Sequence, residues 1–342
     1  MRVGGWRRAT REDLPRLEAF LRGRERMAAG FVGRLLRDGA LRLPNPLRGA
    51  VYVFGEDGGA VEGACLAAPN RLVFPALPPV GGDAGLAELL AERGFEPVSV
   101  IGMADDVERF ERAAGLYPIV PVSYRLMALG PEDLAARFGL PGRSGRAHGS
   151  SPAAAPAAAS SPAPAAAPDP APAGAPGGGA FRVRRADPGD LEALYPLQEA
   201  YEREEVLTAL HRFDPAGCRA ALARSLAEQL LVAGELGRGG AAGGGESANG
   251  AMRDFVGGGL VAKAGTNARS FLLDQIGGVY VEPRRRGRGY GRAVMEGLLA
   301  ELASAGRGAV LFVKPRNAAA MGLYAALGFV EIGDYRADYF AS

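Results

Sequence analysis

Val279-Tyr280-Val281-Glu282-Pro283-Arg284-Arg285-Arg286-Gly287-Arg288-Gly289-Tyr290-Gly291-Arg292 is the stretch that decides the fold. An apolar run from Gln275 to Val281 predicts a strand. Three arginines and three alternating glycines follow it, and then Ala293, Val294, Leu298, Leu299 and Leu302 recur at helical spacing. A strand that feeds a glycine-rich turn at a helix start is suited to a pyrophosphate. Glycine lets the backbone come close, and the free amides and positive dipole end of the helix face the anion.

Three phosphate-binding patterns compete for this segment. A P-loop needs Lys followed by Ser or Thr after its last glycine, and no lysine lies near the turn. The dinucleotide fingerprint Gly-x-Gly-x-x-Gly, started at Gly287 or Gly289, meets Arg292 or Val294 where its third glycine belongs. Arg-x-x-Gly-x-Gly fits, with Arg286, Gly289 and Gly291. Downstream come a predicted strand from Ala309 to Val313, Asn317, a second helix with Leu323-Tyr324, and Leu327-Gly328-Phe329. With these two motifs in this order, the sequence resembles the GNAT acyltransferase superfamily. The resemblance covers residues 181–342.

The resemblance implies direct transfer of an acetyl group from acetyl-CoA to a primary amine, on a small molecule or a peptide, with no covalent enzyme intermediate and no metal. It implies that backbone groups of Val279, Tyr280 and Val281 bind the pantetheine arm. The motif residue Arg286 and the amides of Gly287, Arg288, Gly289, Tyr290, Gly291 and Arg292 would hold the pyrophosphate. Asn317 would cap its helix and contact the cofactor arm, and Tyr324 would donate to the departing thiolate. The general base stays open. Asp274 and Glu282 lie on or beside the central strand and are both candidates. The acidic run Glu202-Arg203-Glu204-Glu205 reads as a solvated helix end or an attraction for a cationic amine, and His211 as an incidental loop histidine. Lys263 and Thr266-Asn267-Ala268-Arg269 read as a polar hairpin tip.

Composition narrows the class. The 342 residues carry 40 basic and 38 acidic side chains, a net charge of +2, so no global field draws in nucleic acid. The Arg284 to Arg292 cluster is one turn without the interleaved aromatics of a nucleic-acid platform. Cys65 and Cys218 match no metal spacing and read as buried hydrophobes in a reducing compartment. No run reaches the length of a membrane span, and the N-terminus lacks a signal-peptide core. The expectation is a soluble cytoplasmic enzyme of the mixed α/β class; a non-catalytic acyl-CoA sensor is the alternative.

From Gly149 to Ala180 every residue is Gly, Ala, Ser or Pro except Asp169. Such a segment buries nothing, so residues 135–180 are expected to form a disordered tether. A second glycine-rich stretch, Gly237 to Gly250, reads as an expanded hairpin loop. Residues 1–134 repeat the rhythm of 181–342: Trp6-Arg7-Arg8-Ala9-Thr10-Arg11-Glu12-Asp13-Leu14 echoes Val183-Arg184-Arg185-Ala186-Asp187-Pro188-Gly189-Asp190-Leu191. At the place of the cofactor turn stands Val80-Gly81-Gly82-Asp83-Ala84-Gly85, with no arginine. The expectation is two GNAT-like sheets, each mixed and mostly antiparallel. The first is degenerate and without cofactor; the second binds acetyl-CoA by itself. The two would dock by surface complementarity. Tandem arrangements of this kind resemble a group of bacterial proteins.

Overall fold

A computed structural model describes residues 5–45, 49–140, 181–237 and 259–340. The N-terminal half runs β1 (Gly5–Arg8), α1 (Leu14–Gly23), α2 (Glu25–Leu35), the small hairpin β2 (Leu36–Arg37) and β3 (Ala40–Leu41), β4 (Ala50–Gly55), β5 (Gly63–Ala67) and β6 (Leu72–Ala76). It continues through α3 (Asp83–Glu92), β7 (Ser99–Met103), α4 (Ala104–Ala114), β8 (Val120–Leu129) and α5 (Pro131–Arg137). The C-terminal half runs β9 (Phe181–Arg185), α6 (Leu191–Tyr201), α7 (Pro215–Glu228), β10 (Leu231–Leu236), β11 (Gly259–Arg269) and β12 (Leu273–Val281). Then follow α8 (Tyr290–Ser304), β13 (Gly308–Val313), α9 (Ala318–Ala326) and β14 (Val330–Tyr339).

The sequence echo between the halves is a shared local device. Arg7 pairs with Asp13 at 2.6 Å and Arg184 with Asp190 at 2.6 Å, and in each half that aspartate also closes a capping box at the entry of the first helix. The arginine hydrogen bonds hold both carboxyls below the usual carboxylate range. Each sheet is apolar where helices cover both faces: every residue of β5 is buried. Helix α8 buries Val294, Met295, Leu298, Leu299 and Leu302, the stripe expected from its spacing.

The two halves do not dock as separate sheets. They form one twelve-stranded sheet, in the order β1-β4-β5-β6-β7-β14-β8-β13-β12-β11-β10-β9. Only β6 with β7 and β12 with β13 run parallel; the other neighbours are antiparallel. The last strand of each half is exchanged. β14 lies between β7 and β8 of the N-terminal half, and β8 lies between β14 and β13 of the C-terminal half. The exchange turns about Tyr124 and Tyr335, which face each other in register, inside Ser123-Tyr124-Arg125 and Asp334-Tyr335-Arg336. Arg125 pairs with Asp334 and Glu331, and Arg336 with Asp338 and Glu108.

The exchange corrects several expectations. The chain closes on one long strand, β14, and β8 of the N-terminal half lies beside it. Docking rests on backbone pairing, not on side-chain surfaces alone. Met127 and Leu129 of β8 and Leu134 of α5 belong to the same buried cluster as Val294, Leu298 and Leu311, so a C-terminal half by itself lacks part of its core. Residues 135–140, assigned to the tether, continue α5 and its C-terminal turn. The rest of the tether, and the loop expected from Gly237, fall outside the described residues from 141 and 238 onward.

Candidate functional site

β12 and β13 pair from Leu273–Gly308 to Ile276–Leu311 and then part. The residues of β12 beyond Ile276 have no strand on that side, and a cavity of about 660 Å³ opens there. On its other side β12 stays paired to β11 but carries a bulge: Gly278 and Val279 stand opposite Ala264 alone, between the Lys263–Tyr280 and Gly265–Gly277 pairs. Gly278 takes φ +64°, which favours glycine there. A second bulge places Asn267 as the extra residue on β11, and its side chain fills the space a Cβ on Gly277 would occupy. Two bulges carry β11 through to Arg269, so Thr266–Arg269 is strand, not the expected hairpin tip.

The turn closes one end of the cavity. Gly287 and Gly289 have φ of +75° and +80°, and Gly289 is the N-cap of α8. Tyr290 is buried, its ring stacked on Phe181 at 4.4 Å, which fixes the first turn of the helix. Val279, Tyr280, Val281, Arg286, Gly287, Gly289, Tyr290, Gly291, Arg292 and Asn317 all line the cavity; Arg288 does not. The Arg286 side chain is committed elsewhere. It makes a two-pronged pair with Glu204 at 2.8 and 2.7 Å and donates to Val281 O. Its part is to fasten the turn to the 202–206 segment. That segment continues α6 as a single π-turn, so the acidic run is structural. Arg286 holds Glu204 below the usual carboxylate range, and Glu205 pairs with Lys314 at 3.0 Å.

Asn317 caps α9 by accepting from Ala320 N at 3.1 Å. Two turns along, Tyr324 lines the cavity and is only 7% exposed. Burial raises its pKa, with Tyr201 and Glu205 adding to the effect, so the phenol stays protonated. No described residue hydrogen-bonds its hydroxyl. Tyr124, Tyr201, Tyr335 and Tyr339 line the cavity as well, and Phe312 stacks on Tyr335 at 4.2 Å.

Neither candidate base lines the cavity. Asp274 is buried at the opposite end of β12, where Arg307 grips it at 2.5 Å and Arg269 approaches to 3.6 Å. Glu282 lies just outside and faces Arg285 at 3.8 Å. His211 shares a hydrogen with Thr208 and meets the edge of Tyr339, but is exposed outside the cavity.

Lys263 was misplaced by the sequence. Its ammonium is fully buried on β11, donates to Gly278 O at 2.8 Å and lies 4.7 Å from the Tyr201 ring centre. Burial pushes its pKa down to about 7 from 10.5. Between those values the unfolded chain binds a proton that the folded chain has released, so stability rises with pH. We expect a gain of about 2 kcal/mol from pH 7 to pH 9. Urea midpoints at the two pH values read it, and Lys263→Met should flatten the rise.

The equivalent place in the N-terminal half is filled. β6 and β7 also part, after Val73–Val100, but the space between them is about 20 Å³, closed by Met27, Ala28 and Phe31 of α2. The turn keeps the backbone of its counterpart: Gly81 and Gly82 have φ of +72° and +81°, and Gly82 caps α3. Arg109 occupies its mouth, donating to Pro78 O at 3.0 Å and Gly81 O at 3.2 Å and pairing with Asp83, while Trp6 donates to Gly82 O.

Among the described residues, no helix is long and apolar enough to cross a membrane and no group of three or more His, Cys, Asp or Glu could hold a metal. No curated protein matches the chain. The family described as FR47-like protein matches residues 260–340. Among solved structures, a Drosophila protein is 14% identical with a TM-score of 0.58, covering 98% of this chain and 99% of its own. A GCN5-related N-acetyltransferase from Sphaerobacter thermophilus is 16% identical at a TM-score of 0.52, with coverage of 98% and 94%. A tandem GNAT protein from the clavulanic acid biosynthesis pathway is 15% identical at a TM-score of 0.50, with coverage of 99% of both chains. Matched over nearly its whole length by these structures, the chain has the GNAT fold in tandem.

Proposed function

We propose that the C-terminal half transfers an acetyl group from acetyl-CoA directly to a primary amine, and that the N-terminal half, residues 1–134, binds no CoA. The observation that carries this reading is the cavity between β12 and β13, with the amide-lined turn at one end and Tyr324 in its wall. The free edge of Val279 to Val281 accepts the pantetheine arm as an added strand. The turn from Gly287 to Arg292 holds the pyrophosphate. The bulge at Gly278 and Val279 brings backbone amides to the thioester carbonyl, and Lys263 fixes the bulge from behind. The amine nitrogen forms the new C–N bond as the C–S bond breaks; one proton leaves the ammonium to cavity water and one reaches the thiolate. Glu204 and Glu205, the carboxylates that line the cavity, are held in ion pairs, and Asp274 and Glu282 lie outside it, so water takes the first proton. Tyr324 is less acidic than a thiol, so it steadies the developing thiolate by a hydrogen bond.

Calorimetry on the full chain tests the binding step, with micromolar affinity for acetyl-CoA expected. Thiol release with a panel of amines tests transfer. Binding with no turnover on any amine would favour the acyl-CoA sensor instead. Gly289→Val should lower acetyl-CoA affinity at least tenfold, because a β-branched residue cannot keep φ +80° and the amides turn away. Nothing lies within 4 Å of a Cβ there, so the loss of stability should be only about 1–2 kcal/mol. Unchanged affinity of the folded protein would make Gly289 a structural turn only.

A further inference from the structure

The end of the cavity away from the turn is walled by the N-terminal half, and it holds a cation with no counter-ion among the described residues. Arg34 of α2 faces this space and is exposed to its solvent. Its guanidinium lies 4.4 Å from the Phe74 ring centre and donates one hydrogen bond, to Gly30 O at 2.7 Å. No described carboxylate pairs with it. The other charges around this part of the molecule are taken: Glu204 by Arg286, Glu205 by Lys314 and Asp274 by Arg307.

Beside Arg34 stands Gln275 of β12, whose Oε1 is enclosed and has no hydrogen-bond partner. Gly30 lies between them. A Cβ on Gly30 would come within 3.1 Å of Gln275 Oε1 and 3.6 Å of Arg34 Nη1, so the missing side chain keeps that gap open. Gln275 is three residues from the bulge at Gly278 and Val279, about 10 Å along the strand. A group bound at Arg34 therefore lies beside the strand that carries the bulge, in the same cavity.

We propose that Arg34 receives the carboxylate of the acceptor, and that the acceptor is an amino acid or a similar compound with its amine a few bonds from a carboxylate. The guanidinium fork matches a carboxylate in two-pronged geometry, and Gln275 Oε1 accepts from the amine. The specificity of the site then belongs to the N-terminal half, which supplies Arg34, Phe74 and Tyr124 but holds no cofactor. This rests on the acyl-transfer reading above.

The test pairs each amino acid with its amide, for example glycine with glycinamide and leucine with leucinamide. Ligand-observed NMR reads binding to the full chain, with and without CoA, and thiol release reads turnover. At least one acid should bind and react about ten- to hundredfold better than its amide. Arg34→Met should remove that preference, and Arg34→Lys should keep part of it. The comparison on the unaltered protein needs no variant, so a variant that fails to fold leaves it decisive. Amides that bind as well as every acid, or an unchanged preference in folded Arg34→Met, would overturn the assignment. Acetyl-CoA binding, followed by calorimetry in the same preparation, fails separately: its loss removes the acyl-transfer reading, while the titration with amino acids alone decides the carboxylate site.

Discussion

Residues 181–342 expressed alone should fail to fold cooperatively, and should recover structure and acetyl-CoA binding when residues 1–140 are co-expressed. Without β8, β13 and β14 each present an unpaired edge in the middle of a sheet. Leu126, Met127, Leu129 and Leu134 also leave the core, where each is at most 5% exposed. At about 1.5–3 kcal/mol for each such side chain, the loss is about 6–12 kcal/mol, comparable to the whole stability of a domain. Circular dichroism and thermal melts read the result. A sharp transition in the isolated segment would contradict the exchange of strands. Proteolysis between residues 141 and 180 of the intact protein should instead leave two fragments that co-purify, because the sheet still joins them.

Tyr324→Phe should slow acetyl transfer about 10²–10³-fold, the cost of losing one donor to a charge that develops in the transition state. Acetyl-CoA affinity and stability should stay close to the original, because the ring is kept and no described residue uses the hydroxyl. Single-turnover rates isolate the chemical step. An unaltered rate there would move the donor role to a water or to another of the tyrosines that line the cavity.

What the sequence made legible was local. The strand, turn and helix from Gln275 to Leu302, the cap at Asn317 and the place of Tyr324 are written in contiguous residues, and the echo of Arg7 and Asp13 in Arg184 and Asp190 spans six positions. What was hidden depends on contacts between distant segments. Nothing in Val120–Leu129 or Val330–Tyr339 announces which strand each will pair with, since alternation fixes a face and not a neighbour. Lys263 looked like a turn residue because two bulges interrupt the period of β11. Asp274 looked like a base because its strand is the central one, while the residue that neutralises it, Arg307, lies 33 positions away. Arg34 was one arginine among many until the fold set it in the other half's cavity.

The exchanged strands also bear on how the chain is made. β14 ends at Tyr339, yet its place is between β7 and β8, which are complete by Leu129. At ribosomal rates of about 5–20 residues per second, roughly 10–40 s pass before the missing strand exists. Through that interval the nascent N-terminal half carries a vacant slot flanked by two open strand edges, each able to capture a strand from another chain. Two nascent chains that fill each other's slots would make an intertwined dimer with every native pairing satisfied. Expression yield should therefore depend on chaperone supply and on the spacing of ribosomes along the message, more than on the stability of the finished protein.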